Sequence, residues 1–165
     1  METVKEARKK QVTGDNYSDD EKRQYFKQNY AIIRKSAGWS ADKIASMLGV
    51  SRQTINNIEH REKYELTKSL YIASRALVEN EIRNNPEDMI MTKLIMDAFV
   101  DKRDNYNEEE RQEIKKNAEK LALAVVDKPE NRKVVSTALV AAVAATIGAA
   151  MGAALLALSN KLFKK

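Results

Sequence analysis

Residues 38–59 read GWSADKIASMLGVSRQTINNIE, and this stretch decides the fold. Ser40 and Ser51 each stand directly before a short run of residues with helical spacing, and serine is a favoured residue for capping a helix N-terminus. Gly49 lies between the two runs, where glycine tolerates the left-handed conformation that ends a helix. The pattern predicts two short helices, over 41–48 and 52–59, joined by a tight turn.

The two predicted helices have one apolar and one polar side. The side chains that pack between two helices set at an angle must be small or apolar, and one side chain must fill the space at the turn. The sequence supplies these at Ile44, Ala45, Leu48, Val50, Ile55 and Ile58. The second helix leaves polar side chains facing outward, namely Arg52, Gln53, Asn56 and Asn57.

This pattern, with its flanks over about residues 28–80, resembles the Cro and phage-repressor type of helix-turn-helix, the XRE family. In that type the second helix enters the major groove of double-stranded DNA and the first lies across the backbone. The resemblance implies a sequence-specific transcriptional regulator, expected to be a repressor, that binds DNA as a homodimer or higher homo-oligomer. By position it implies base reading by Arg52, Gln53 and Asn57. Arginine suits guanine, and the two amides suit adenine.

Other residues are expected to contact the DNA backbone or to give secondary contacts: Lys35, Lys43, Ser51, Thr54, Asn56, Arg61 and Lys63. Arg34 and Glu59 match a family pair that ties the helix before the motif to the end of the recognition helix, and their role is interpreted as structural. Ala41 departs from the family, which commonly has a phosphate-contacting glutamine there. Asp42 beside it should repel phosphate, although a carboxylate suits a helix N-terminus.

The distribution of charge agrees with an anionic partner for the N-terminal half. Residues 1–85 hold 16 Lys and Arg against 12 Asp and Glu, whereas residues 86–133 hold 10 against 12. A basic segment suits a polyanion.

The chain has no cysteine and a single histidine, His60, interpreted as a solvated loop residue. We therefore expect no metal site, no cofactor and no enzymatic activity, and we expect a cytoplasmic protein.

Local signals predict an all-α chain around the motif. Ser18 and Glu21 form a capping box for a helix that runs to about Ala37. A further helix is expected over 67–83. Pro86 marks the best candidate domain boundary, because the residue before a proline avoids the α region. The predicted divisions are a mobile arm over 1–17, a helix-turn-helix domain of four to five helices over 18–85, a helical linker or dimerisation region over 86–128, and a long apolar helix over 129–165.

The last predicted segment is alanine-rich and carries no charge from Val134 to Asn160. Residues 134–158 are long enough to span a bilayer, which would anchor the protein to the inner face of the cell membrane. Alanine contributes little to insertion, and an aromatic belt is missing. The alternatives are an oligomerisation helix and an intramolecular core helix. A membrane-associated adaptor that uses the helix-turn-helix fold for protein docking is the second functional hypothesis.

Overall fold

The computed structural model describes residues 17–126 and 128–147, and within them all regular elements are helical. Most of the predicted arm, residues 1–16, lies outside this range. The eight α-helices of the described residues are α1 (Asp19–Gln28), α2 (Tyr30–Ser36), α3 (Ala41–Leu48), α4 (Arg52–His60), α5 (Lys68–Asn84), α6 (Ile90–Met96), α7 (Glu108–Ala124) and α8 (Arg132–Ile147).

The first predicted helix is divided in two, which corrects the expectation of one helix from Ser18 to Ala37. The capping box is present, with the Glu21 amide donating to Ser18 Oγ at 3.2 Å. The break falls at Asn29, whose side-chain amide donates to the Tyr25 carbonyl at 2.8 Å. Asparagine competes in this way for the backbone groups of a helix.

The helix-turn-helix itself follows its local signals. The Ser40 and Ser51 hydroxyls accept bonds from the Lys43 and Thr54 amides, at 3.0 and 3.1 Å. Gly49 has φ +68°, in the left-handed region where glycine is free of steric penalty. Four residues of the predicted inner face, Ile44, Ala45, Ile55 and Ile58, are each at most 3% exposed, and Leu48 and Val50 are partly buried against the core.

After Pro86 the apolar residues that recur at helical spacing from Ile90 to Phe99 are buried, but they do not lie on one continuous helix. Only α6 is regular, and a π-helical turn over Asp97–Asp101 and a 3-10 turn over Arg103–Asn105 follow it. Lys93 and Lys102 both lie near the Asp97 carboxylate, at 2.7 and 4.0 Å. The π-helical turn packs against α1.

The helices on the two sides of Pro86 share one hydrophobic core in the described residues. Helix α2 contacts both α6 and α7, and the Ser36 and Thr92 hydroxyls are bonded at 2.9 Å inside that contact. Arg132, at the start of α8, donates to the Ser36 carbonyl at the C-terminal end of α2. A cation is favoured at a helix C-terminus. The division into domains at Pro86 stays a prediction, but the packing is continuous across it.

Helix α8 lies against α7 and α6 and buries one face there, through Ser136, Val140, Val143 and Ile147. The opposite face, with Val134 71% exposed, consists largely of alanine. No helix in residues 17–126 or 128–147 has both the length and the apolar character to cross a membrane. Residues 148–158 of the predicted membrane span lie outside the described residues, so anchoring through 134–158 has no support here.

Candidate nucleic-acid interface

Helix α4 presents the predicted base-reading residues on its solvent side. Arg52 and Gln53 are exposed, and Asn57 is half-buried one turn further along. The Gln53 side-chain amide donates to Asn57 Oδ1 at 2.9 Å. This bond occupies one N–H of Gln53 and leaves its carbonyl oxygen, its second N–H and both N–H groups of Asn57 available for other partners. Two neighbouring amides with free donors and a free acceptor can bind the edge of an adenine.

Arg52 lies at the first position of α4 and contacts a carboxylate of the other motif helix. Its Nη1 is 3.1 Å from Asp42 Oδ2, and the two side chains are 64% and 66% exposed. From the sequence, Asp42 was expected to repel phosphate and to suit a helix N-terminus, but its contact with Arg52 was not expected. The tight turn at Gly49 brings the first turn of α3 close to the first turn of α4. A local sequence pattern does not show how far apart these two turns lie.

The C-terminal end of α4 is held by a buried ion pair. Arg34 Nε and Nη2 donate to the two Glu59 oxygens at 2.6 and 3.0 Å, and Nη1 donates to the Trp39 carbonyl at 2.7 Å. The Arg34 and Glu59 side chains are only 10% and 2% exposed. Two parallel bonds between a guanidinium and a carboxylate fix direction as well as distance. The end of α4 is thus tied to α2 and to the residue directly before the Ser40 cap.

The secondary contact residues do not all lie on one surface. Lys43 is exposed on α3, and Arg61 and Lys63 are exposed just after α4. Ser51 and Thr54 are joined through their hydroxyls at 3.0 Å, at the start of α4, and Asn56 is half-buried. Lys35 instead borders a groove of about 670 Å³ between α2 and α7, shared with Trp39, Glu119 and Leu123.

His60 is the last residue of α4 and not a loop residue as interpreted from the sequence. Its side chain is 72% exposed, and its Nε2 is 3.9 Å from Glu59 Oε2. In the described part of the chain, no three His, Cys, Asp or Glu side chains lie together in a way that could hold a metal ion.

A scan against protein families matches residues 31–71 to the family model described as Helix-turn-helix. Residues 31–71 form a helix-turn-helix of the Cro and phage-repressor type. The match covers 41 of the 165 residues and includes α3, the turn and α4. It supports a DNA-binding transcriptional regulator. No curated protein matches the chain, and no solved structure matches it.

Proposed function

We propose that this chain is a sequence-specific DNA-binding transcriptional regulator that reads the major groove with α4. One observation carries the proposal. The helix that the family type inserts into the groove has its apolar side closed against the core and its end fixed by the Arg34–Glu59 pair, while Arg52, Gln53 and Asn57 face outward. Base contacts specify sequence, and they need donors and acceptors on a rigid element.

Backbone contacts would come from cations around α4. Lys43 on α3 and Arg61 and Lys63 after α4 are exposed and flank the recognition helix. Neutralising phosphates releases condensed counterions, which makes the affinity fall with salt. Ala41 removes the glutamine that commonly contacts phosphate in the family, so these cations supply a larger share of the backbone contacts.

We further propose a homodimer that binds two half-sites about one helical turn, or about 10 base pairs, apart. Residues after Pro86 would provide the contact between subunits. A dimer seated over a promoter blocks access to it, which makes repression the simplest regulatory outcome.

Selection of bound sequences from a random DNA pool tests this proposal with the full-length chain. We expect enrichment of a two-fold related sequence, and a logarithm of affinity that falls linearly with the logarithm of salt concentration. A reporter placed behind the enriched site should be repressed when the protein is expressed. Failure to enrich any sequence at low salt would contradict sequence-specific binding, and enrichment of a single half-site would contradict the dimer.

A further inference from the structure

Asp42 and Arg52 form an ion pair between the two motif helices, α3 and α4. The two residues should interact with DNA in opposite ways. Arg52 is the cation best placed to contact a base, whereas Asp42 is a carboxylate that faces the expected polyanion. This inference rests on the proposed function, since it concerns how α4 reads DNA.

The helix positions of the two residues explain why they pair. Asp42 lies in the first turn of α3, where the positive end of the helix dipole favours a carboxylate. Arg52 is the first residue of α4, where the same dipole disfavours a cation. The Asp42 carboxylate, 3.1 Å away, offsets that repulsion and gives the guanidinium a preferred direction.

The pairing also leaves part of the guanidinium available. Asp42 accepts from Nη1 of Arg52. A guanidinium has five N–H donors in a rigid planar fork, so a carboxylate at one edge leaves another edge able to bind guanine O6 and N7 together. A guanidinium without the carboxylate would be free to turn to a phosphate, and a phosphate contact carries no sequence information.

We propose that Asp42 is a specificity-determining positioning residue: it holds Arg52 for a guanine and away from the phosphates. The same carboxylate lies close to the DNA backbone and lowers the affinity for every sequence. Asp42 therefore lowers the overall affinity for DNA and increases the discrimination at one base pair.

The test compares Asp42→Asn, which removes the charge at nearly constant shape, with wild type on the selected DNA and on the same DNA with the guanine replaced. We expect Asp42→Asn to bind both DNAs more tightly than wild type does. We expect the wild-type preference for guanine to fall by about ten-fold, which lies within the discrimination that a paired arginine contact provides. Asp42→Glu should keep most of the preference, because it restores a carboxylate.

Asp20→Asn is the matched control, because Asp20 pairs with Arg23 at 3.1 Å on α1 and its side chain is 82% exposed. It changes the net charge equally and should leave the guanine preference unchanged. In an Arg52→Ala background, Asp42→Asn should cause no further loss of preference, because its effect acts through Arg52.

Three results with the variants would overturn this role of Asp42. They are full guanine preference in Asp42→Asn, an equal loss in Asp20→Asn, and a loss that persists after Arg52→Ala. If wild type selects a sequence in which no guanine depends on Arg52, the role of Asp42 fails and the proposed function stands. If wild type selects no sequence, the proposed function itself fails.

Discussion

Separating Arg34 from Glu59 should destabilise the protein far more than separating an exposed ion pair. The guanidinium makes two bonds to the carboxylate and one to the Trp39 carbonyl, in a site where Glu59 is 2% exposed. Glu59→Gln leaves a buried arginine charge without its counter-charge. Breaking a buried pair on one side costs about 3–5 kcal/mol. A domain of this size is stable by only about 5–15 kcal/mol.

Urea unfolding measures this cost, and the single tryptophan of the chain, Trp39, reports it. Trp39 is 6% exposed and its carbonyl accepts from Arg34, so its fluorescence follows the environment of the pair. The thermal midpoint of Glu59→Gln should fall by roughly 6–20 °C, since each kcal/mol corresponds to about 2–4 °C at this chain length.

Two further variants make the reasoning refutable. Glu65→Gln breaks the Arg23–Glu65 pair, in which Glu65 is 71% exposed, and should cost below about 1 kcal/mol. The double variant Arg34→Met with Glu59→Leu replaces the buried pair by apolar groups. Leaving aside the bond from Arg34 to the Trp39 carbonyl, the double variant should cost less stability than Glu59→Gln alone. The loss of that bond adds about 1–3 kcal/mol to the cost of the double variant. Equal costs for Glu59→Gln and Glu65→Gln would refute the account.

Two other predictions concern packing and pH. Gly38→Ala and Gly49→Ala should both cost about 1–2 kcal/mol, because both residues have left-handed φ angles. Gly38→Ala should cost more, since its Cβ would lie 2.9 Å from Arg132 Nη1 whereas nothing lies within 4 Å at Gly49, and Arg132→Ala should make the two costs equal in urea unfolding. Burial raises the pKa of Tyr30 to about 12, despite its hydrogen bond with the Ser74 hydroxyl, so the contribution of Tyr30 to stability is fully present below pH 10. The contribution of Tyr30 should fall by up to roughly 3 kcal/mol as the pH rises from 10 to 12, and Tyr30→Phe should remove that part of the slope in unfolding measured at each pH.

The helix-turn-helix was predictable because its signals are local. Ser40, Gly49 and Ser51 act on the backbone within a few residues of themselves, and the apolar spacing fixes which side of α3 and α4 faces the core. The break at Asn29 depends on whether a side chain or a backbone group bonds to the Tyr25 carbonyl, and a sequence pattern does not decide that competition.

The arrangement of the C-terminal half was less predictable because its determinants are distant in sequence. The apolar residues from Ile90 to Phe99 recur at helical spacing, which indicates a buried face, but contact with α1 and α2 places them. The alanine-rich tail permitted a membrane, an oligomer or a core, since alanine packs in all three. In the described residues the first part of that tail packs on α7, and the contact from Arg132 to Ser36 joins residues 96 positions apart in the sequence.

The candidate site likewise has features that could be predicted from the sequence and features that could not. The outward direction of Arg52, Gln53 and Asn57 follows from helical spacing, and the Gln53–Asn57 bond joins residues four apart on one helix. The contact between Asp42 and Arg52 depends on the angle between two helices, so sequence spacing alone did not indicate it. The base-reading roles of these side chains stay predictions.

The most direct test of the account is the ratio of affinities for the selected DNA and a scrambled DNA, measured for wild type and for Gln53→Ala with Asn57→Ala. The double variant should keep salt-sensitive binding to both DNAs and lose most of the discrimination, because it removes base contacts and no cation. Gln112→Ala, which removes an exposed amide from α7, should leave the ratio unchanged. If the double variant discriminates as well as wild type, α4 does not read the bases and the central claim is wrong.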